Sequence, residues 1–373
     1  MKRARSLLSL LVGLCAWTLS SCAPTGFQDA SLVTTVRVLA SSADEPYAKP
    51  GDTVNVQVLA VDGRPSPAVP MTVYWLPFVC ENPPNDAYFG CFQQIAGGGS
   101  AGADGGASAA VDGGVGFAGG DGGVVKAGVD LTPFLPTGPA YRFTMPADAV
   151  SSHPLVPGTP VPYGLAIVFN IACAGHIEIV PLDPNNANPQ QVPIGCFDSN
   201  HNALGPDDWV FGFTRVYAYA DVTNANPTIS SVNTLDGGIP DSGMVEGGPP
   251  SYTSGVFTAP CMGNCPKIPI GPVVPSSSWE VQAQLGSDNP PHEEIWADFY
   301  ATFGSFDDDA RLIYDSTQGL LGGPSVTDNQ FTPPGAASQA GDAGDAGSGA
   351  IWIVVHDNRG GASWVTVPVQ VKY

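Results

Sequence analysis

Apolar and polar residues alternate with a period of two along much of this chain. Residues 53–61 place Val54, Val56 and Val58 on one face and Asn55 and Gln57 on the other, which is the pattern of a half-buried strand. A helix of the same sequence would expose half of its valines to water. The same pattern, or a run of β-branched residues, predicts further strands at 33–39, 71–76, 141–145, 161–173, 210–222, 227–235, 279–285, 295–303, 350–356 and 364–371.

Segments rich in turn-forming residues separate these strands. The stretch 97–128 is dominated by glycine and repeats the tripeptide Asp-Gly-Gly. It has too little apolar surface to offset its chain entropy, so we predict a disordered insertion there. A second low-complexity loop covers 335–349, and residues 224–227 separate two predicted strands and predict a linker.

Two local patterns resemble the ends of bacterial immunoglobulin-like domains. The order strand, Pro-Gly-Asp turn at 50–52, alternating strand resembles their opening A–B pair. A strand, the turn Asp-Asn-Arg-Gly-Gly at 357–361 and a terminal strand resemble the closing F–G hairpin of bacterial immunoglobulin-like and PKD-like modules. The resemblance implies an all-β chain of two tandem immunoglobulin-like sandwiches, at 32–224 and 227–373. It departs from the antibody pattern, because no Cys…Trp…Cys set joins two sheets.

The first 22 residues resemble the leader of a bacterial lipoprotein. Residues 1–5 are basic, residues 7–17 are apolar but too short to span a bilayer comfortably, and Leu-Ser-Ser-Cys at 19–22 matches the lipobox. The resemblance implies a cleaved signal peptide at 1–21, a lipid on the thiol of Cys22 and a tether at 22–31. Two or three acyl chains, such as palmitate, give a stable membrane anchor. The alternative is an ordinary secretory signal that is cut elsewhere.

Charge restricts the class of partner. The chain has 13 Lys and Arg against 34 Asp and Glu, and 3 of the basic residues belong to the leader. So acidic a surface repels phosphate backbones and anionic lipid headgroups, which disfavours nucleic-acid binding. With 46 Gly, 37 Pro and 13% charged residues, the composition is turn-rich and unlike that of a helical enzyme.

The cysteines predict covalent cross-links. Of 8 cysteines, one leaves with the leader and Cys22 takes the lipid. An even number remains in an exported chain, which predicts three disulfides. Several pairings are open, and we favour sequence neighbours because each pair brackets a polar loop. A metal pair at the last two cysteines is the alternative, but no second pair or His lies at ligand spacing. The favoured pairs are Cys80–Cys91, Cys173–Cys196 and Cys261–Cys265.

One loop carries oxygen-bearing side chains at alternating positions. Asp198, Asn200 and Asn202, followed by Asp207 and Asp208, resemble the front of a calcium loop. The sixth position lacks Gly, and the twelfth is Trp instead of the bidentate Glu, so an Asx-rich turn is the alternative. A structural calcium ion is the only cofactor that the sequence suggests.

Other chemical signals are weak. His176 and Glu178 share one strand face, but neither they nor His292 have the H-E-x-x-H spacing of a metalloprotease, and we predict surface histidines. The G-x-S-x-G match at 98–102 lacks the strand and helix of a nucleophile elbow. The aspartates at 307–309 predict a solvent-facing hairpin tip. The tryptophans fall mostly in strand patterns, which favours core packing over a carbohydrate-stacking platform.

Together these observations predict a non-enzymatic, lipid-anchored surface protein of the cell envelope, with a structural or adhesion role. Ala23 after the lipobox Cys, where Asp is absent, implies the outer membrane by the Gram-negative sorting rule. The expected partners are the membrane, through the lipid, and a protein or glycan. A calcium-dependent or carbohydrate-binding surface protein is the first alternative, and a secreted hydrolase is the second.

Overall fold

Strands form nearly all of the regular structure in the computed structural model of this chain. The structure describes residues 29–96, 128–155, 161–180, 192–234, 251–253, 256–261, 265–281, 292–321, 327–335 and 347–372. In these ranges there are two short α-helices, α1 (Tyr88–Ala96) and α2 (Ala149–Ser152), and three 3-10 helices, at Pro84–Asp86, Thr132–Phe134 and Ser276–Ser278. No described helix is both long and apolar enough to cross a membrane. The predicted all-β class is confirmed.

The first nine strands form a sandwich with an extra hairpin. They are β1 (Val36–Ala43), β2 (Tyr47–Ala48), β3 (Thr53–Asp62), β4 (Thr72–Glu81), β5 (Ala140–Thr144), β6 (Gly164–Cys173), β7 (His176–Ile179), β8 (Ile194–Phe197) and β9 (Trp209–Ala218). One sheet has the order β1-β3-β5 and the other β2-β9-β6-β4, while β7 and β8 pair separately. This is the A–B–E against G–F–C arrangement of an immunoglobulin-type sandwich.

The alternating valines of β3 line the core of this first sandwich. Val54, Val56 and Val58 are at most 3% exposed, and they pack with Trp75 of β4 and Val168 of β6 in one apolar cluster between the two sheets. Strand β6 behaves differently, because every one of its residues is buried. Its second face must therefore be covered by another part of the chain.

The remaining strands form a second sandwich, which adds strands at the sheet edges to the same central order. They are β10 (Ser231–Asn233), β11 (Ser251–Thr253), β12 (Phe257–Pro260), β13 (Ile268–Val273), β14 (Ile295–Ala301), β15 (Ser305–Phe306), β16 (Ala310–Asp315), β17 (Gly319–Leu320), β18 (Asn329–Thr332), β19 (Ser348–Asp357) and β20 (Ala362–Lys372). One sheet runs β10-β13-β18-β15; the other runs β11-β20-β19-β14-β16-β17, with β12 also on β20. These are the A–B–E–D and G–F–C orders.

The core of the second sandwich again lies between its sheets. Ile270 and Phe331 on one side and Phe299, Ile353 and Val367 on the other belong to one buried cluster. The strand predicted at 279–285 is wrong over 279–281. There, the 3-10 helix Ser276–Ser278 is followed by a single bridge between Val281 and His292, and 282–285 lie outside the described residues.

The outer faces of the two sandwiches meet in an apolar layer. Leu39 of β1 and Val61 of β3 form a buried cluster with Trp352 of β19, and Ala40 forms another with Val354 and Trp364. Residues 31–373 are one compact unit for this reason. The tandem immunoglobulin-like fold class is confirmed, whereas the exact domain limits of 32–224 and 227–373 stay a prediction.

Three predicted segments fall outside the described residues. They are the signal peptide and Cys22, the glycine-rich insertion apart from Gly128, and most of the low-complexity loop at 335–349.

Candidate functional site

The excursion between β6 and β9 carries a cluster of polar side chains in the first sandwich. Strands β7 and β8 pair antiparallel within it, with His176 opposite Phe197 and Glu178 opposite Gly195. A disulfide between Cys173 and Cys196 ties the end of β6 to β8. The hairpin is therefore fixed to the central strand of the sheet and gives its side chains a defined position.

Two histidines converge on one buried carboxylate in this hairpin. His176 Nε2 lies 2.6 Å from Glu178 Oε1, and His201 Nδ1 lies 2.5 Å from the same oxygen. The Glu178 side chain is 4% exposed and that of His201 is 69% exposed. The three ligand atoms lie within 4.8 Å of one another, the spacing of a metal-binding group. It is the one such group of three or more among the residues that the structure describes.

Hydrogen bonding rather than burial sets the charge of this trio. The hydrogen bond from His201, followed by that from His176, holds the pKa of Glu178 below its usual value although burial acts in the opposite direction. Glu178 raises the pKa of His201 through the same hydrogen bond and through its charge. The arrangement favours an ionised carboxylate between two nitrogen donors.

The loop that the sequence marks for calcium presents His201 instead. The Asp198 carboxylate accepts hydrogen bonds from the backbone N–H groups of Asn200 and Asn202, and the Asp198 N–H donates to the Asn202 carbonyl. This is an Asx turn, the alternative considered for the segment. It holds His201 at φ 62°, a left-handed conformation in which His is enriched.

Of the remaining predicted calcium ligands, Asp208 uses its carboxylate elsewhere, and Asp207 makes a backbone contact. Asp208 forms an ion pair with Arg64 at 2.8 Å, and the carbonyl of Asp207 accepts a hydrogen bond from the N–H of Val36. Asp198, Asp207 and Asp208 do not form a ligand group of the kind that His176, Glu178 and His201 form in the described chain. Calcium binding at this loop stays a prediction, and the three aspartates do not converge on one point in the described chain.

A second polar cluster lies at the closing turn of the second sandwich. The Asp357 carboxylate, 2% exposed, accepts hydrogen bonds from the N–H groups of Arg359 and Gly361 and from the side chain of Asn224. The side chain of Asn226 accepts a hydrogen bond from the N–H of Ala362 and donates one to the carbonyl of Ala43. The predicted linker is thus hydrogen-bonded to both sandwiches.

Arg359 is the centre of this cluster. Its guanidinium lies 2.6 Å from Glu293 and 3.5 Å from Glu280, donates to the carbonyl of Thr223, and sits 4.8 Å from the ring centre of Tyr47. Tyr47 belongs to the first sandwich and Glu293 to the second. One side chain therefore joins the two sandwiches through charge, hydrogen bonding and cation–π contact.

Glu293 is held in an environment that disfavours its charge. It is fully buried, and its Oε2 has no hydrogen-bond partner in the part of the chain that the structure describes. Burial, followed by the charge of Asp357, raises the pKa of Glu293 to about 7, although Arg359 acts in the opposite direction. The charge and hydrogen bond of Arg359 offset only part of these two effects.

The other sequence candidates have structural partners. His153 lies 2.9 Å from Asp86, and His356 lies 3.2 Å from Asp298. The exposed aspartates at 307–309 include an ion pair of Asp307 with Lys267. The ring of His292 stacks on Trp279 with centroids 3.7 Å apart. None of the tryptophans in the described chain is fully exposed: Trp75, Trp352 and Trp364 are buried, and Trp209, Trp279 and Trp296 are partly buried.

Disulfide bonding is present at all six body cysteines. The bonds join sequence neighbours, and each closes a loop beside a buried cluster: Cys80–Cys91, Cys173–Cys196 and Cys261–Cys265.

Comparison with known proteins gives distant structural matches. No family model matches this chain, and no curated protein matches it significantly. Fibronectin(III)-like modules of Clostridium thermocellum CbhA are 11% identical, with 89% of this chain and 94% of that chain covered and a TM-score of 0.18. Salmonella alpha-2-macroglobulin is 10% identical, with 90% and 16% covered and a TM-score of 0.20. Three N-terminal domains of the bacteriophage RB49 outer capsid protein Hoc are 11% identical, with 91% and 98% covered and a TM-score of 0.15.

Proposed function

We propose that this chain is a non-enzymatic, lipid-anchored cell-envelope protein whose acidic two-sandwich body is a structural or adhesion module. The observation that carries the proposal is the direct contact between the two sandwiches. A module that displays or bridges needs a fixed relation between its domains, and an apolar interdomain layer supplies it. The acidic composition directs the module away from nucleic acids and toward protein or glycan partners.

The interdomain contact has both an apolar and a polar part. Trp352 and Trp364 supply large apolar surfaces against Leu39, Ala40 and Val61. Arg359 joins the sandwiches at the edge, as described above. Ser31 and Val33 add two backbone hydrogen bonds to Ala301 of β14, each 2.8 Å long. These contacts restrict hinge motion at the linker. They therefore support a rigid body rather than two domains that move independently.

The anchor is proposed from the lipobox. Cleavage before Cys22 would leave 8 residues, 23–30, between the lipidated residue and Ser31, which is hydrogen-bonded to β14. A segment of that length can reach across the headgroup region in an extended form. The body would then lie close to the bilayer, at the outer membrane by the sorting rule that Ala23 satisfies.

Lipid attachment is tested by metabolic labelling. The full chain, expressed in a Gram-negative host fed an alkyne-tagged palmitate, should take up the label and fractionate with the outer membrane. Its Cys22→Ser variant should lose the label and leave the membrane fraction, while Cys15→Ser should behave as the unmodified chain. Label in the Cys22→Ser chain, or a soluble unlabelled wild-type chain, would exclude the anchor.

Surface display is tested separately on intact cells. Added protease should cleave the wild-type chain if the body faces outward, and a periplasmic protein serves as the protected control. Protection of the chain in intact cells but not in lysed cells would replace the adhesion role with a periplasm-facing one.

A further inference from the structure

We propose that His176, Glu178 and His201 form a binding site for one divalent transition-metal cation of the zinc type. The site is formed by strand β7 and by the turn that follows β8 in the first sandwich, remote in sequence from the Arg359 cluster. It is distinct from the oxygen-ligand calcium site that the sequence suggests, because its donors are two imidazole nitrogens and one carboxylate oxygen.

The donor set determines the class of metal. Zinc and its neighbours accept imidazole and carboxylate ligands in a tetrahedral arrangement that leaves a fourth position for water. Calcium instead takes six to eight oxygen ligands, and this trio offers one carboxylate. Two histidines with one carboxylate therefore select a borderline transition metal against calcium and magnesium.

The geometry needs a small change to admit the ion. Ligand atoms that lie ~2.0–2.1 Å from a tetrahedral metal are ~3.3 Å apart. The two histidine nitrogens now lie 2.6 and 2.5 Å from Glu178 Oε1, so each must separate from it by less than about 1 Å. Both nitrogens already point at the shared oxygen, and rotation of the exposed His201 ring can provide most of that movement.

The frame around the ligands is fixed before metal arrives. His176 and Glu178 alternate with Ile177, which is fully buried and whose N–H donates to the Thr132 hydroxyl. The Cys173–Cys196 disulfide anchors the opposite strand. Such a frame lowers the entropy lost on binding, which is the usual basis of affinity at a three-ligand site.

The site is open to solvent and has two further carboxylates nearby. His201 is the exposed ligand and leaves a path for the ion and its water. The carboxylates of Asp130 and Asp198 both act on His201 electrostatically. A cation between the ligands would be stabilised by these carboxylates without direct coordination by them.

The test is isothermal titration of zinc into the metal-stripped full chain in detergent. We expect one zinc ion per chain, and at least about tenfold weaker binding in His201→Asn and Glu178→Gln. Asn tolerates the left-handed backbone of position 201, and Gln keeps the shape of Glu178, so both variants should fold. His356→Ala, which removes a carboxylate-paired histidine elsewhere, is the matched control and should bind as the wild type does.

A spectroscopic readout separates coordination from loose surface binding. Cobalt added in place of zinc should give the strong visible absorption of a tetrahedral centre in the wild type and the His356→Ala control, and should lose it in His201→Asn. Equal zinc affinity in the wild type and His201→Asn would overturn the proposal. So would a thermal stabilisation by calcium that matches the one by zinc, or an unchanged melting temperature in saturating zinc. None of these three outcomes would affect the anchor and display experiments.

Discussion

Each sandwich has a G–F–C sheet, and the outer faces of these two sheets are covered in different ways. In the first, the outer face of β6 and its neighbours packs against parts of its own excursions, including Phe92 of α1 and Ile177 of β7. In the second, the outer face of β19 packs against β1 and β3 of the first sandwich. A central strand that is apolar on both faces needs a cover. Here one cover is an insertion and the other is a neighbouring domain.

The two covers are also secured by different chemistry. Two disulfides, Cys80–Cys91 and Cys173–Cys196, fix the excursions over the first sheet. The domain contact over the second sheet is closed by Arg359, Glu293 and Asp357. The first cover should therefore respond to reductant and the second to pH.

The largest expected effect comes from removing the apolar anchor of the domain contact. Trp352→Ala should lower the free energy of unfolding by about 3–5 kcal/mol, because a large ring that is 8% exposed leaves a cavity between the sandwiches. Calorimetry should then show two separated transitions in place of one. Phe134→Ala, at a residue 55% exposed, is the control and should change little. A single transition in Trp352→Ala at an unchanged temperature would contradict the interdomain role.

A smaller loss of stability is expected when the disulfide that holds the β7–β8 hairpin over the first sheet is removed. The double variant Cys173→Ala, Cys196→Ala should lower stability by about 2–4 kcal/mol, since the bond closes a loop with a sequence separation of 23. Limited proteolysis should then cut the β7–β8 hairpin before the remainder of the chain. The unmodified chain under reductant is the comparison. Equal protease resistance in both forms would mean that packing alone holds the hairpin.

The smallest effect concerns how the free energy of unfolding depends on pH through Glu293 in the Arg359 cluster. The pKa of Glu293 is raised to about 7 in the folded chain, against an ordinary value of 4.5. Between about pH 4.5 and 7, the folded chain therefore holds a proton on Glu293 that the unfolded chain has released. Stability should fall as pH rises through this range.

The matched variant isolates that contribution. Glu293→Gln should remove a pH-dependent part on the order of 1–3 kcal/mol, measured as the difference between wild-type and variant urea-unfolding free energies at pH 5 and pH 7.5. Both chains share every other titrating group, so their difference reports Glu293 together with the effect of its charge on its neighbour Asp357. A difference that does not change with pH would show that Arg359 keeps Glu293 ionised throughout.

Strand prediction succeeded where the pattern was long. The alternating run at 53–61 corresponds to β3, and the apolar run within 161–173 corresponds to β6. The short strands β7 and β8 are not predicted by the sequence pattern, because four side chains are too few to establish a period of two. The strand predicted over 279–281 does not form because pairing there is limited to a single bridge between Val281 and His292.

The candidate site shows the same division. His176 and Glu178 were seen to share a strand face, but His201 lies 23 positions beyond Glu178, and only the pairing of β7 with β8 brings it close. The sequence favours the oxygens of Asp198 and its neighbours as ligands because their alternate spacing is visible locally. Those oxygens are used to build the turn that presents His201.

Sequence alone determined the all-β class, the valine face of β3, the doubly apolar character of β6 and the acidic surface. These follow from local periodicity and composition, which act within a few residues. Tertiary structure decided what covers each apolar face, which residues meet Arg359 and which nitrogens meet Glu178. Those choices depend on contacts between segments far apart in the chain, and their energies depend on burial and charge that no local pattern records.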